Sequence, residues 1–203
     1  MSLNRRTLLA AAAILAPGAA LARTRTMTVY KTPTCGCCDG WVEHLRGAGF
    51  ETTVEILDDL SPIRRRHGLP DRLMSCHSGV ADGYIFEGHV PAADVIRLLD
   101  ESPRAVGLAV PGMPLGSPGM EVPGRPGQPY ETLLVLTVRY QLTPVSRGEP
   151  ITDAVTATVT YAAADQAYAA IAAQRDGEQR AVAEAARLIR LDVSRALAGL
   201  NQP

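Results

Sequence analysis

The sequence predicts an α/β domain followed by a small α+β segment. Three observations carry this. Short β-prone runs alternate with short amphipathic stretches from Met27 to Leu99. A Pro-, Gly- and Met-rich stretch, residues 107–129, interrupts the periodicity. Beyond it lie two alternating strand patterns and one long Ala-rich helical pattern.

The elements follow in chain order. Asn4-Arg5-Arg6-Thr7-Leu8-Leu9 opens on a twin arginine, Leu8–Ala16 is apolar, Pro17-Gly18 breaks the run and Ala20-Leu21-Ala22 fits a cleavage site. Residues 1–22 are therefore expected to be an export signal of the twin-arginine type, cleaved after Ala22, which sends the protein to the periplasm. Met27–Lys31 reads as a strand, and Trp41, Val42 and Leu45 recur at helical spacing. Thr52–Leu57 alternates as a strand, and Ser61-Pro62 starts a short helix with Ser as its N-cap. Asp82-Gly83 joins two further short strands as a hairpin. Pro91–Leu99 is helical, with apolar Val95, Ile96, Leu98 and Leu99. The order β-(Cys loop)-α-β-α-β-β-α resembles the thioredoxin-like layout, in which a reactive loop joins the first strand to the first helix.

Residues 107–129 are expected to form neither a helix nor a continuous strand. They read as a linker or, since Met113 and Met120 occupy matching Gly-Met positions, as a loop folded over a site. Leu133–Leu142 and Thr152–Tyr161 then read as strands of a β-meander turned at Arg147-Gly148-Glu149. In the long C-terminal helix, Val182, Ala186, Ile189, Val193 and Leu197 form the predicted apolar stripe. The expected domains are 23–135, thioredoxin-like, and 136–203, a β-meander with the long helix.

Composition narrows the function. The chain has 203 residues, 46% hydrophobic and 20% charged, a globular balance. A formal net charge of −1 offers no basis for a nucleic-acid partner. Past the N-terminus no apolar run is long enough to span a bilayer. The four Cys are the anomaly: Cys35, Cys37, Cys38 and Cys76, all in the first half.

Cys35 and Cys38 make a C-x-x-C pair at a helix start, where the dipole and free N–H groups favour a thiolate. Cys35 and Cys37 make a C-x-C pair, suited to holding one soft ion between two thiolates. Cys76-His77 adds a thiol and an imidazole, and His89 in Gly-His-Val-Pro, Met113 and Met120 are additional candidate ligands. Thiolate and thioether donors select Cu(I), and imidazole accepts it. Three readings stand at this point: a structural disulfide, a thiol–disulfide oxidoreductase built on Cys35 and Cys38, or a copper site. Zinc lacks its usual second ligand pair. His44, His67 and the run Arg64–Arg66 read as solvated surface.

Val29-Tyr-Lys-Thr-Pro-Thr-Cys-Gly-Cys-Cys38, Ser75-Cys-His77, Gly88-His-Val-Pro-Ala92 and Gly112-Met-Pro-Leu-Gly-Ser-Pro-Gly-Met-Glu121 together resemble the CopG-type periplasmic copper-binding family over about residues 27–135. The resemblance implies a thioredoxin-like fold, a copper site on Cys35, Cys37, Cys38, Cys76 and His77, and a role in copper resistance or copper redox handling. Copper ions and other periplasmic copper proteins are the implied partners. The C-terminal part is similar to something else. Leu136-Thr-Val-Arg-Tyr-Gln-Leu142, Tyr161, Gln166-Ala-Tyr168 and the Arg175-Asp…Glu178…Arg180 helix resemble the C-terminal half of LptE-type lipopolysaccharide-assembly lipoproteins. That likeness implies an outer-membrane lipopolysaccharide translocon as a partner of residues 136–200, with outer-membrane association. The counterpart of that family's N-terminal half and its lipidated Cys are missing, so the two parts read as a domain fusion or a chimeric gene.

Overall fold

Why strands and helices fall where they do is clearest at their ends. The structure, a computed structural model, describes residues 24–143, 149–162 and 167–200. The expected export signal and the residues around Arg147-Gly148 lie outside the described residues. β1 (Arg25–Lys31) leads through the Cys loop into α1 (Cys37–Gly47), then β2 (Phe50–Ile56). α2 (Ser61–His67) and a short 3₁₀ turn (Asp71–Leu73) precede β3 (His77–Ala81) and β4 (Tyr84–Gly88). α3 (Ala92–Glu101), β5 (Gly107–Val110), β6 (Glu131–Leu142), β7 (Ile151–Ala162) and α4 (Ala167–Leu200) complete the chain.

The strands form one mixed seven-stranded sheet in the order β2-β1-β3-β4-β5-β6-β7. β1 pairs parallel with β2 and antiparallel with β3, with Lys31 opposite His77. β4 pairs antiparallel with β3 and parallel with β5, placing Gly88 opposite Val110. The β3–β4 turn is made by Asp82 at φ +46 and Gly83 at φ +87, the two left-handed residues that a tight hairpin of matching twist requires.

Strand periodicity divides the core. Phe86, Leu108 and Leu134 pack with Trp41, Leu45, Val95 and Leu98 of α1 and α3. Their neighbours Ile85, Ala109 and Val135 point to the opposite face, where Leu69 and Leu73 cover them. The sheet runs unbroken through β6, so the expected boundary at 135/136 falls inside a strand.

Three expectations are corrected. Gly107–Val110, placed in the irregular stretch, is a fully buried strand, because β4 and β6 supply hydrogen-bond partners on both sides. Ser61 lies inside α2, whose N-cap is Leu60, and its N–H donates to the Asp59 carboxylate just before the helix at 2.8 Å. The apolar stripe of α4 is rotated by about one position. Ala181 and Ala185 are buried, while Val182 is 62% and Leu197 55% exposed. Close approach of helix to sheet needs small side chains at the contact, so the alanines win the interface over the larger residues beside them.

Candidate metal centre

The sheet brings four segments to one end. β1 leaves it at Lys31, β3 enters at His77, and β4 and β5 end there at Gly88 and Val110. The Cys loop, residues 75–77, residues 88–90 and the loop after β5 therefore meet, although they are far apart in sequence.

Cys35 and Cys38 are joined as a disulfide with their Cα atoms 5.7 Å apart, while Cys37 and Cys76 are free thiols. Cys37 Sγ lies 3.6 Å from Cys35 Sγ, 3.9 Å from Cys76 Sγ and 3.9 Å from Met113 Sδ. Cys76 Sγ also lies 3.2 Å from His77 Nδ1 and 3.5 Å from His89 Nε2. Two ligand sets result, Cys35-Cys37-Cys38-Cys76 and Cys76-His77-His89, each with donor atoms within 4.8 Å of one another. Cys76 belongs to both.

The imidazoles are held in forms that suit a metal. His89 Nδ1 lies 2.7 Å from the Pro118 carbonyl. A carbonyl only accepts, so Nδ1 carries the proton and the lone pair of the neutral ring is at Nε2, towards Cys76. His77 is fully buried, packs on Trp41 with ring centroids 4.4 Å apart, and keeps Nε2 without a hydrogen-bond partner. Burial, helped by the nearby His89, pushes the His77 pKa down to about 3, so the ring is neutral near neutral pH and keeps one nitrogen lone pair open to a metal. Burial, reinforced by Cys37, pushes the Cys76 thiol up to about 11. Cys76 is thus a thiol in the metal-free protein, and a bound cation would reverse that preference by displacing the proton.

The loop after β5 folds over the cluster. Gly119 (φ +83) sits against Gly40 of α1, and a Cβ on Gly119 would come within 2.5 Å of the Trp41 backbone nitrogen. The two glycines permit an approach no other pair would allow. The loop brings in Met113, 43% exposed, and the Pro118 carbonyl. Met120 is held in the same turn by its backbone, its N–H donating to Ser117 O at 2.8 Å. Among the described residues, Met113 is the one methionine of this loop with a sulfur contact to the cysteines.

All of Cys35, Cys37, Cys38, Cys76, His77, His89 and Met113 are therefore brought together, with Cys35 and Cys38 spent on each other in the disulfide. Two surface readings are corrected. Arg64 is buried, pairing with Glu87 at 2.7 Å under α2, while Arg65 and Arg66 are exposed. His44 is half-buried and its Nε2 accepts the Ala92 N–H at 3.0 Å, and His67 sits 3.2 Å from the Gly83 carbonyl. Sequence reasoning missed Trp41, whose Nε1 donates to Val90 O at 2.8 Å, as the wall behind His77. It also missed Lys31, buried and ion-paired with Asp39. Their signals were faint: the single Trp and the single Lys.

A family of unknown function, DUF411, matches residues 73–120, a span that includes Cys76, His77, His89, Met113 and Met120. Two solved structures, forms 1 and 2 of the copper resistance protein CopG, are similar. The first is 45% identical and covers 54% of this chain and 86% of its own, at a TM-score of 0.51. The chain belongs to the CopG-type family. The second CopG structure is 44% identical, covering 55% of this chain and 88% of its own, with the same TM-score of 0.51. No curated protein matches the chain. The CopG-type likeness thus leaves nearly half of this chain outside it, and the LptE-type resemblance of residues 136–200 has no match of its own among these relatives.

Proposed function

We propose that the protein is an exported copper-binding protein of copper resistance that holds Cu(I) at the thiol–imidazole cluster. One observation carries the reading: the Cys76 sulfur is met by the Cys37 sulfur at 3.9 Å and by the His77 and His89 ring nitrogens at 3.2 and 3.5 Å. Soft sulfur donors select Cu(I), and neutral imidazoles complete its coordination without adding charge. The residues present fit the ion, because the buried His77 keeps Nε2 without a hydrogen-bond partner and the polar contacts of the Cys76 sulfur include other soft or imidazole donors, Cys37, His77 and His89. Cys37, Cys76, His77 and His89 would hold copper, with Met113 at the exposed mouth and Met120 in the covering turn. Cys35 and Cys38 would join the set as thiols in the reduced protein. The reactive loop between the first strand and first helix supports a thioredoxin-like frame. The printed name of the similar CopG structures supports copper as the cargo.

Metal analysis of the reduced, purified chain after Cu(I) loading tests this. Retained copper that is lost in Cys37→Ser is the expected result. No retained copper, or full retention in Cys37→Ser, contradicts it.

A second reading has its own observation, the Cys35–Cys38 disulfide leading into α1. As a thiol–disulfide oxidoreductase the chain would reduce an insulin disulfide, depending on Cys35 and Cys38 and indifferent to His77. The β6–β7 hairpin and α4 carry neither Cys nor His. The translocon partnership implied by their LptE-like pattern would be read from a pull-down with that β-barrel complex.

A further inference from the structure

Cys76 and His77 lie between two serines, and both serines are tied to one carboxylate. Glu87, fully buried on β4, accepts the Ser75 backbone N–H at 2.6 Å and Arg64 Nη2 at 2.7 Å on Oε1. Its Oε2 accepts the Ser78 hydroxyl at 2.5 Å. Arg64, reaching in from α2, also donates Nη2 to the Ser75 carbonyl at 2.6 Å. Ser75 is therefore gripped through both of its backbone groups, immediately before the ligand pair, and Ser78 is gripped immediately after it.

The same carboxylate sets the other side of the cluster. Gly88 separates Glu87 from His89 at φ +71, and a Cβ there would lie 2.3 Å from Val110 O and 2.8 Å from Ser75 Oγ. The turn into His89 is thus seated on Ser75. The two segments that supply the imidazoles, 75–78 and 87–89, meet at Glu87.

Stability is a poor explanation for such a pair. Desolvation offsets most of the attraction in a buried ion pair, and apolar residues of similar volume commonly serve as well. Ile85, on the same strand face, is covered by Leu69 and Leu73 in that way. Arg64 also keeps Nε buried without a partner. What a guanidinium–carboxylate pair supplies is fixed direction, since both groups are planar and their donors and acceptors are rigidly placed.

We propose that Arg64 and Glu87 are positioning residues that hold Cys76 and His77 against His89, so that one sulfur and two ring nitrogens converge on a single copper ion. This rests on the copper reading above, and the test separates the two. In the full chain, Glu87→Gln keeps the shape, removes the charge and leaves one acceptor oxygen. Its Cu(I) affinity, measured by chelator competition, is expected to fall about 10- to 100-fold, the usual effect of losing a group that orients a metal ligand. Ser78→Ala removes a single bond to the carboxylate and is expected to fold and shift affinity in the same direction by less. Leu134→Ala, destabilising but remote, is the control: a lower Tm with unchanged affinity.

A copper-independent readout runs alongside, the iodoacetamide alkylation rate of Cys76 in reduced, metal-free protein. A severalfold change in that rate in Glu87→Gln or Ser78→Ala supports positioning. An unchanged Cys76 rate together with unchanged affinity in the folded variants overturns it. Should the wild type retain no copper, the copper reading falls and the alkylation rate alone decides the positioning role, an unchanged rate overturning it.

Discussion

The two ends of the sheet are built on opposite plans. At the cysteine end, four short segments converge on buried polar groups: His77, Ser78, Glu87 and His89 are all fully buried. At the other end, β6 and β7 pair over twelve residues each, and the 34-residue α4 packs on them through alanines. Its ion pairs, Arg180–Asp176 and Arg187–Glu184, are local and solvated. The contrast teaches that regular, local pairing builds an inexpensive frame, while chemistry is placed where distant segments are forced together. Burying polar groups is costly unless they find partners. The cysteine end concentrates that cost, and the ligand atoms are what it gains.

The sharpest way to break this contrast is Cys76→Ala, which removes the sulfur common to both ligand sets. Copper affinity is expected to drop by more than the roughly 100-fold that an orienting partner is worth. Equilibrium dialysis against a Cu(I) buffer reads it. Leu134→Ala, 3% exposed at the junction of the two regions, should lower unfolding stability by about 2–5 kcal/mol in urea melts. Copper stoichiometry should be unchanged in the folded fraction, and a parallel loss of copper would mean that the two ends are one cooperative site.

Gly119→Ala addresses the lid. At φ +83 and with its Cβ 2.5 Å from the Trp41 nitrogen, alanine must lift the loop. A destabilisation of more than about 1 kcal/mol is expected, with weaker copper binding as Met113 leaves Cys37. A subtler effect is pH-dependent. Burial lowers the His44 pKa below its ordinary 6.5, and its Nε2 must be unprotonated to accept the Ala92 N–H. The unfolded chain takes up the proton near 6.5 while the folded protein refuses it, so His44 makes stability fall as pH drops through 6.5 towards its lowered folded value. His44→Gln should flatten the Tm–pH profile of the metal-free protein over that range, and an equally steep profile would contradict the assignment. Smallest of all, Val182→Ser on α4 should change stability by no more than about 0.5 kcal/mol in the same urea melts, because the side chain is already 62% exposed.

Legibility in the sequence follows the same divide. The strand and helix order was readable because periods of 2 and 3.6 report local geometry directly. The Asp82-Gly83 hairpin was readable from turn chemistry. The face of α4 was misjudged because small alanines hide the contact that larger neighbours advertise. β5 was missed since four residues among prolines and glycines hold no period, and only pairing with β4 and β6 makes them a strand. Within the site, Cys35, Cys37, Cys38, Cys76 and His77 announced themselves by residue type and spacing. Arg64 and Glu87 did not, because a charged residue is assigned to the surface until its distant partner is known, and these two are 23 positions apart.

The most direct test of the account is X-ray absorption at the copper edge of the Cu(I)-loaded, full-length protein. Sulfur scatterers together with imidazole nitrogens in the first shell, the sulfur contribution falling in Cys76→Ala, is the predicted result. A first shell of oxygen and nitrogen alone, unchanged by Cys76→Ala, would contradict it.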